Sequence, residues 1–230
     1  MRGAKRVGVV IPALDEESAI GRVLDAIPAW VDETVVVNNG STDATAAVAR
    51  AHGARVVDEG RRGYGLACLA GIDALNDAQI VVFLDGDFSD RPEQMARLVD
   101  PIVAGRADFV LSNRVSENRD DHAMTPMQRM GNRLACGLIN GRWRARYSDL
   151  GPFRAISRSA LDRLALRDRN FGWTVEMQIQ AARHGLRVRE VRTSYRRRIG
   201  RSKISGTLRG AVGAGVKILF VIFRNALQRG

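Results

Sequence analysis

Residues 80–87 read Ile80-Val81-Val82-Phe83-Leu84-Asp85-Gly86-Asp87, a five-residue apolar run that ends in two carboxylates separated by one glycine. Short runs of this kind, rich in β-branched residues, form strands buried on both faces, and such strands belong to parallel sheets covered by helices. The sequence around it keeps the same alternation. Val7–Ile11, Thr34–Val37, Arg55–Val57, Ile80–Leu84 and Phe109–Leu111 read as strands. Between them Glu17–Ile27, Asp43–His52, Leu66–Leu75 and Pro92–Ala104 carry apolar residues at helical spacing. Thr42 or Asp43, and Asp90 ahead of Pro92, read as helix starts, with Gly53 and Gly105 as stops. The expected fold is therefore α/β, with a mostly parallel central sheet flanked by helices. In such sheets ligands bind beyond the carboxyl ends of the strands.

The second half is less regular. Ser116–Thr125 reads as a polar, mobile loop, Pro126–Asn140 as a helix, Gly151–Ser157 as a strand and Thr174–His184 as a helix stopped by Gly185. Arg187–Thr193 reads as a further strand, Tyr195–Ser205 as a basic loop and Thr207–Gln228 as a final amphipathic helix. The expected division is one domain over 1–205, in two halves (1–115 and 116–205), followed by a C-terminal helix within 206–230.

Charge separates the same halves. The chain has 230 residues and a formal charge of +11. Residues 1–115 carry 12 Lys+Arg against 17 Asp+Glu, whereas residues 116–230 carry 24 against 8. Only Lys5, Lys203 and Lys217 are lysines, so the basic half is built of arginine, whose planar fork suits phosphate. Aromatic residues make up 6%, too few to stack bases among those arginines, so nucleic acid is not the expected partner. Two distant cysteines, Cys68 and Cys136, read as reduced, buried thiols, and three isolated histidines offer no zinc spacing. The apolar run after Met1-Arg-Gly-Ala-Lys-Arg6 is too short for a signal peptide. A cytoplasmic protein is expected.

Three strand ends carry the chemistry. Asp85 and Asp87, two apart on an extended chain, point the same way and can face one hard divalent cation together with substrate phosphate oxygens. Val9-Val-Ile-Pro12-Ala13-Leu-Asp-Glu16-Glu17 passes from strand to helix with no glycine, and Gly60-Arg-Arg-Gly63-Tyr-Gly65 has the wrong spacing and place, so a dinucleotide fingerprint is absent. Val37-Asn38-Asn39-Gly40-Ser41-Thr42-Asp43 ends a strand in amides and a carboxylate that can read a base or ribose edge, or simply form a turn and helix cap.

The ordered series VVIPALDEE, VVNNGSTDAT, RRGYGLACLAGI, VVFLDGDFSD, SNR and SDLGPFR resembles family 2 glycosyltransferases over residues 6–205, and in particular their dolichyl- or polyprenyl-phosphate sugar transferase branch. The resemblance implies a GT-A (Rossmann-like) domain that binds a UDP- or GDP-sugar with Mg²⁺ or Mn²⁺ and inverts the anomeric configuration. Pro12, Ala13, Glu16, Asn39, Asp43, Arg62, Asp85, Gly86 and Asp87 would then meet the nucleotide-sugar, with Asp85 and Asp87 at the metal. Arg114, Arg154, Arg198, Arg201, Ser202 and Lys203 would meet the acceptor or the diphosphate. Asn39 stands where the family usually has an acid, and Tyr64 where many relatives have Lys or Arg, which shifts diphosphate contact toward Arg61 or Arg62.

Two acceptors are consistent with these residues. A phosphate acceptor is already anionic and calls for cations such as Arg114, whereas a hydroxyl acceptor calls for a general base, for which Asp149 is the candidate. The apolar stretch of the tail is shorter than the roughly 20 residues of a spanning helix and is interrupted by Lys217. It is expected either to lie at a membrane surface through 206–228, bringing a lipid phosphate into reach, or to pack on the domain or on another subunit of a homo-oligomer.

Overall fold

The structure, a computed structural model, describes residues 1–114, 124–200 and 208–227. Seven strands form one sheet: β1 (Val7–Ala13), β2 (Glu33–Asn38), β3 (Arg55–Asp58), β4 (Ile80–Phe83), β5 (Phe109–Asn113), β6 (Arg154–Ser157) and β7 (Val188–Arg192). Their order is β3-β2-β1-β4-β6-β5-β7. β1 pairs in parallel with β2 and β4, β2 with β3, and β5 with β7. β6 runs antiparallel between β4 and β5, so the sheet is mostly but not wholly parallel. β6 starts three residues later than the expected Gly151. Pro152 has no N–H for a ladder, and the Gly151 carbonyl accepts instead from the Arg154 guanidinium.

Eight helices are described: α1 (Ile20–Asp25), α2 (Thr45–Ala51), α3 (Tyr64–Ala74), α4 (Ala96–Val103), α5 (Pro126–Trp143), α6 (Arg158–Leu164), α7 (Trp173–Arg183) and α8 (Leu208–Leu227). α1 is shorter than expected because a turn precedes it, in which the N–H groups of Ala19 and Ile20 both donate to the Glu16 carbonyl. A 3-10 turn at Pro92–Gln94 leads into α4. Asp90 is not its cap: Arg91 holds the cap position, and Asp90 is buried. α5 begins as expected, with Thr125 and Gln128 forming a capping box. α6 was not expected, since seven residues with Leu161 and Leu164 inward are too few to establish a period. Most of the expected loop at Ser116–Thr125 lies outside the described residues.

Alternate strand residues divide between two cores. Val10, Val35, Val37, Val81 and Phe83 face the layer of α3, α5, α7 and α8, where Ile72, Ile139, Trp173 and Val221 are buried. Val9, Ile11, Val36, Ile80 and Val82 face the layer of α1, α2 and α4, against Ile20, Val23, Ala49 and Leu98. The period-two alternation of side chains thus supplies both faces of one sheet. Cys68 and Cys136 are free and buried. No helix among the described residues is long and apolar enough to cross a membrane.

Candidate active site

The carboxyl ends of β1, β2 and β4 open on one cavity of about 340 Å³. Pro12, Ala13 and Glu16 line it from the β1 end, Asn39 from β2, Asp85 and Gly86 from β4, and Arg62 and Tyr64 from the glycine-rich loop. Arg198 closes it from the basic segment that follows β7, and Asn170 and Phe171 come from the connection between α6 and α7. Those last two carry no sequence signal, since only the folded chain brings residue 170 to residue 12.

Three carboxylates gather beneath this cavity. Asp85 is half-buried and accepts a hydrogen bond of 3.1 Å from the Tyr64 hydroxyl. Burial, and then the charge of Asp87, raise its pKa to about 6. Asp87 is buried; its Oδ1 accepts from the Ser89 N–H and hydroxyl, and its Oδ2 lies 2.9 Å from the Arg198 guanidinium. Asp90 is also buried, and neither of its carboxyl oxygens has a hydrogen-bond partner among the described residues. Burial, with the charges of Asp85 and Asp87, holds its pKa well above the usual carboxylate range. Read from the sequence as a helix start, Asp90 instead belongs to this group. Its signal was its place three residues after Asp87 on the same strand end.

The glycine-rich loop is fastened by Asn39. The amide donates to the carbonyls of Glu59 (3.1 Å) and Arg61 (2.8 Å), while its oxygen accepts from the Gly63 N–H (2.8 Å). A carboxylate could not donate to those carbonyls, which gives the amide a structural reason at a position expected to meet the base. Arg61 forms an exposed pair with Glu59, leaving Arg62 as the loop arginine that lines the cavity.

Other expected site residues are placed differently. The Asp43 carboxylate accepts from the Thr45 N–H and hydroxyl and from the Glu17 N–H, so it braces the turns beside the cavity and does not line it. Arg154 is fully buried, with its guanidinium donating to the carbonyls of Gly151, Leu150 and Thr174 and lying 5.8 Å from the Phe109 ring centroid. Its guanidinium is committed to the backbone and does not line the cavity. Asp149 is fully buried and bidentate to Arg114, at 2.9 Å for both pairs of atoms, and also accepts from the Arg114 N–H. That arrangement removes Asp149 from the role of solvent-accessible base and makes it the group that orients Arg114, whose guanidinium lies 5.2 Å from the Tyr195 ring centroid. Arg201, Ser202 and Lys203 lie outside the described residues.

The family model for glycosyl transferase family 2 matches residues 8–165, which include the β1, β2 and β4 ends described above. The chain belongs to glycosyl transferase family 2. Among relatives, this family 2 enzyme is 39% identical over 207 residues to an uncharacterised glycosyltransferase of Mycobacterium tuberculosis (strain ATCC 25618 / H37Rv), covering 90% of this chain and 93% of the other. It is 31% identical over 228 residues to a dolichyl-phosphate hexose transferase of Haloferax volcanii, covering 96% of both. Its fold matches glucosyl-3-phosphoglycerate synthase of Mycobacterium tuberculosis, solved with Mn²⁺, uridine-diphosphate-glucose and phosphoglyceric acid. That match has a TM-score of 0.79 at 25% identity, over 98% of this chain and 81% of the other. The expected GT-A architecture and hexosyltransferase class are therefore both met.

Proposed function

We propose that this enzyme transfers a hexosyl group, with inversion, from a nucleoside diphosphate sugar to a lipid-borne phosphate of the polyprenyl type. One observation carries the donor half of the reading: the Asp85–Asp87 pair at the end of β4 lies beneath a cavity whose other wall is basic, at Arg62 and Arg198. The nucleoside is taken at the β1 end by Pro12, Ala13 and Glu16, and Arg62 meets the diphosphate.

Among the described residues no cluster of three or more His, Cys, Asp or Glu side chains is arranged as a complete metal site. The donor set nevertheless fits a cation that takes one or two carboxylates and completes its shell with substrate oxygens. The charge of Asp87 raises the proton affinity of Asp85, and neither carboxyl oxygen of the buried Asp90 has a hydrogen-bond partner among the described residues, so further positive charge fits here beside the one Arg198 contact to Asp87. Asp85 and Asp87 would hold Mg²⁺ or Mn²⁺, which when bound supplies charge stabilisation to the departing diphosphate. Arg198, at the cavity mouth, adds cationic stabilisation to the same leaving group.

The acceptor half rests on Arg114 and Asp149. A hydroxyl nucleophile needs an accessible base, and Asp149 is buried under Arg114. A phosphate nucleophile needs positioning by a cation, which Arg114 supplies. The relationship to a dolichyl-phosphate hexose transferase over nearly the whole chain supports the same acceptor. The test is transfer of labelled sugar from UDP- and GDP-sugars, with Mn²⁺, to a short-chain polyprenyl phosphate in detergent or to phosphoglyceric acid. Label in the polyprenyl product, lost on chelation and in Asp87→Ala, is the expected result. Transfer only to phosphoglyceric acid overturns the acceptor, and full activity of Asp87→Ala under chelation overturns the mechanism.

A further inference from the structure

α8 is turned inside out relative to an ordinary surface helix. Two of its cations point into the domain: Lys217 Nζ lies 2.8 Å from the buried carboxylate of Asp168, and Arg224 lies 3.1 Å from that of Glu176. Its large apolar side chains point away, with Val216, Phe220, Phe223 and Leu227 all more than half exposed. Their spacing of four, three and four residues puts them on one stripe of the helix. An exposed stripe with two phenylalanines is costly in water and marks a face that something covers. α5, which packs on α8, also leaves Met127, Met130 and Leu134 exposed at spacings of three and four.

The charge on these two helices identifies the cover. Residues 126–143 hold Arg129, Arg133 and Arg142, and neither they nor residues 208–227 contain an Asp or Glu, while Lys217 and Arg224 of α8 are already matched by Asp168 and Glu176. A second copy applied to this face would bring two acid-free, basic surfaces together. An anionic bilayer supplies both an apolar layer for the phenylalanines of α8 and negative headgroups for Arg129 and Arg133 of α5. No described helix can span, so the contact lies in the plane of the interface.

We propose that the outward faces of α8 and α5 form a docking surface for an anionic lipid bilayer. The surface deepens, and rests on, the reading of the acceptor as a lipid-borne phosphate. Gly200 is within 4.0 Å of Glu16 if given a Cβ, so the chain leaves the cavity mouth there, and α8 begins eight residues later. Eight residues of chain span at most about 28 Å, so the proposed membrane helix starts within that distance of the donor site.

The experiment is co-sedimentation of the full chain with vesicles of phosphatidylglycerol and phosphatidylcholine, against phosphatidylcholine alone, at low and high salt. The wild type should bind the anionic vesicles, more weakly at high salt. Phe220→Ser/Phe223→Ser should lower that partitioning at least about tenfold, with its thermal unfolding and donor binding unchanged. Failure of the wild type to bind anionic vesicles, or equal binding by the variant, overturns the proposal. So does a wild-type dimer in sedimentation equilibrium that the two serines dissociate, which would make a second copy the occupant. Transfer to polyprenyl phosphate in detergent needs no bilayer. Transfer there without vesicle binding therefore removes only the surface, and vesicle binding without transfer removes only the acceptor.

Discussion

The Arg198 guanidinium stands 2.9 Å from Asp87 Oδ2 and 3.4 Å from Glu16 Oε1, so one side chain neutralises the carboxylate pair from two strand ends at once. It lies where the proposed Mg²⁺ or Mn²⁺ must find its negative charge, and two cations cannot share that charge without cost. The neighbouring backbone is tied to the same strand end, with the Ile199 N–H donating to the Asp87 carbonyl and the Arg196 N–H to that of Ser89. Arg198→Gln should therefore tighten Mn²⁺ binding to the donor-free enzyme by about three- to tenfold, read by the loss of the free Mn²⁺ resonance. Transfer should fall at least about tenfold in the same variant, because the diphosphate loses a counter-charge. Weaker Mn²⁺ binding would show that Arg198 does not compete for the site.

Asp85 is expected to stabilise nothing until a cation arrives. Its pKa is raised from 3.8 to about 6 in the folded state, so the folded protein binds the proton more tightly than the unfolded chain. The favourable contribution exists below about pH 4, is lost as the pH rises toward 6, and leaves a net cost above that. Asp85→Asn should therefore raise the melting temperature of the metal-free protein at pH 7 by a few degrees, for about 1–2 kcal/mol, and by nothing at pH 4. The same variant should lose the stabilisation that Mn²⁺ and donor together confer on the wild type. A lower melting temperature for Asp85→Asn at pH 7 would contradict the electrostatic account.

Asp149 and Arg114 form a buried, bidentate pair, and removing one partner leaves the other charged and uncompensated. Asp149→Asn should destabilise by about 3 kcal/mol in chemical denaturation. The double variant Arg114→Gln/Asp149→Asn should recover part of that loss while remaining inactive. If Asp149 orients Arg114 and takes no proton, the pH profile of residual transfer by Asp149→Asn should keep its acid limb. Disappearance of that limb would return Asp149 to the role of base.

Much of this was legible in the sequence, and the limit was contact order. β4 and its two acids needed only a local run of apolar residues, and β1 to β3 followed from short runs between helical patterns. Asp90 departs from its sequence reading because an acid ahead of a proline satisfies a local capping rule, while only the fold buries it and brings the Arg114 charge near it. For Asp43 the turn part of the local reading holds, since its carboxylate accepts from the Thr45 N–H two residues on, but the expected helix start does not: Ala44 holds the cap position of α2 and no side chain caps it. Arg154 lies in a segment whose residue types suit phosphate, and only the packing of α7 and Phe109 around it removes it from solvent. Asn170 and Phe171 had no local rule at all to announce them.

The segment that carries Asn170 and Phe171 also shapes the glycine-rich loop. A Cβ at Gly65 would stand 2.0 Å from the Asp168 carbonyl oxygen and 2.9 Å from the Arg169 carbonyl carbon, and one at Gly63 would stand 2.2 Å from the Arg169 carbonyl oxygen. These are backbone atoms, held further by the Leu66 N–H donating to the Arg169 carbonyl and by Lys217 pairing with Asp168. The approach cannot relax by a rotamer change, so a methyl group must push the loop and the 168–171 segment apart, which opens the cavity wall between Tyr64 and Phe171. Gly65→Ala should cost about 2 kcal/mol or more of stability and raise the donor dissociation constant at least about tenfold, measured by calorimetric titration with Mn²⁺ present. Gly60→Ala, at a position in the same loop where a Cβ meets nothing within 4 Å, should leave both quantities unchanged. Equal effects of the two substitutions would mean that loop flexibility, and not the close approach to Asp168, sets donor affinity.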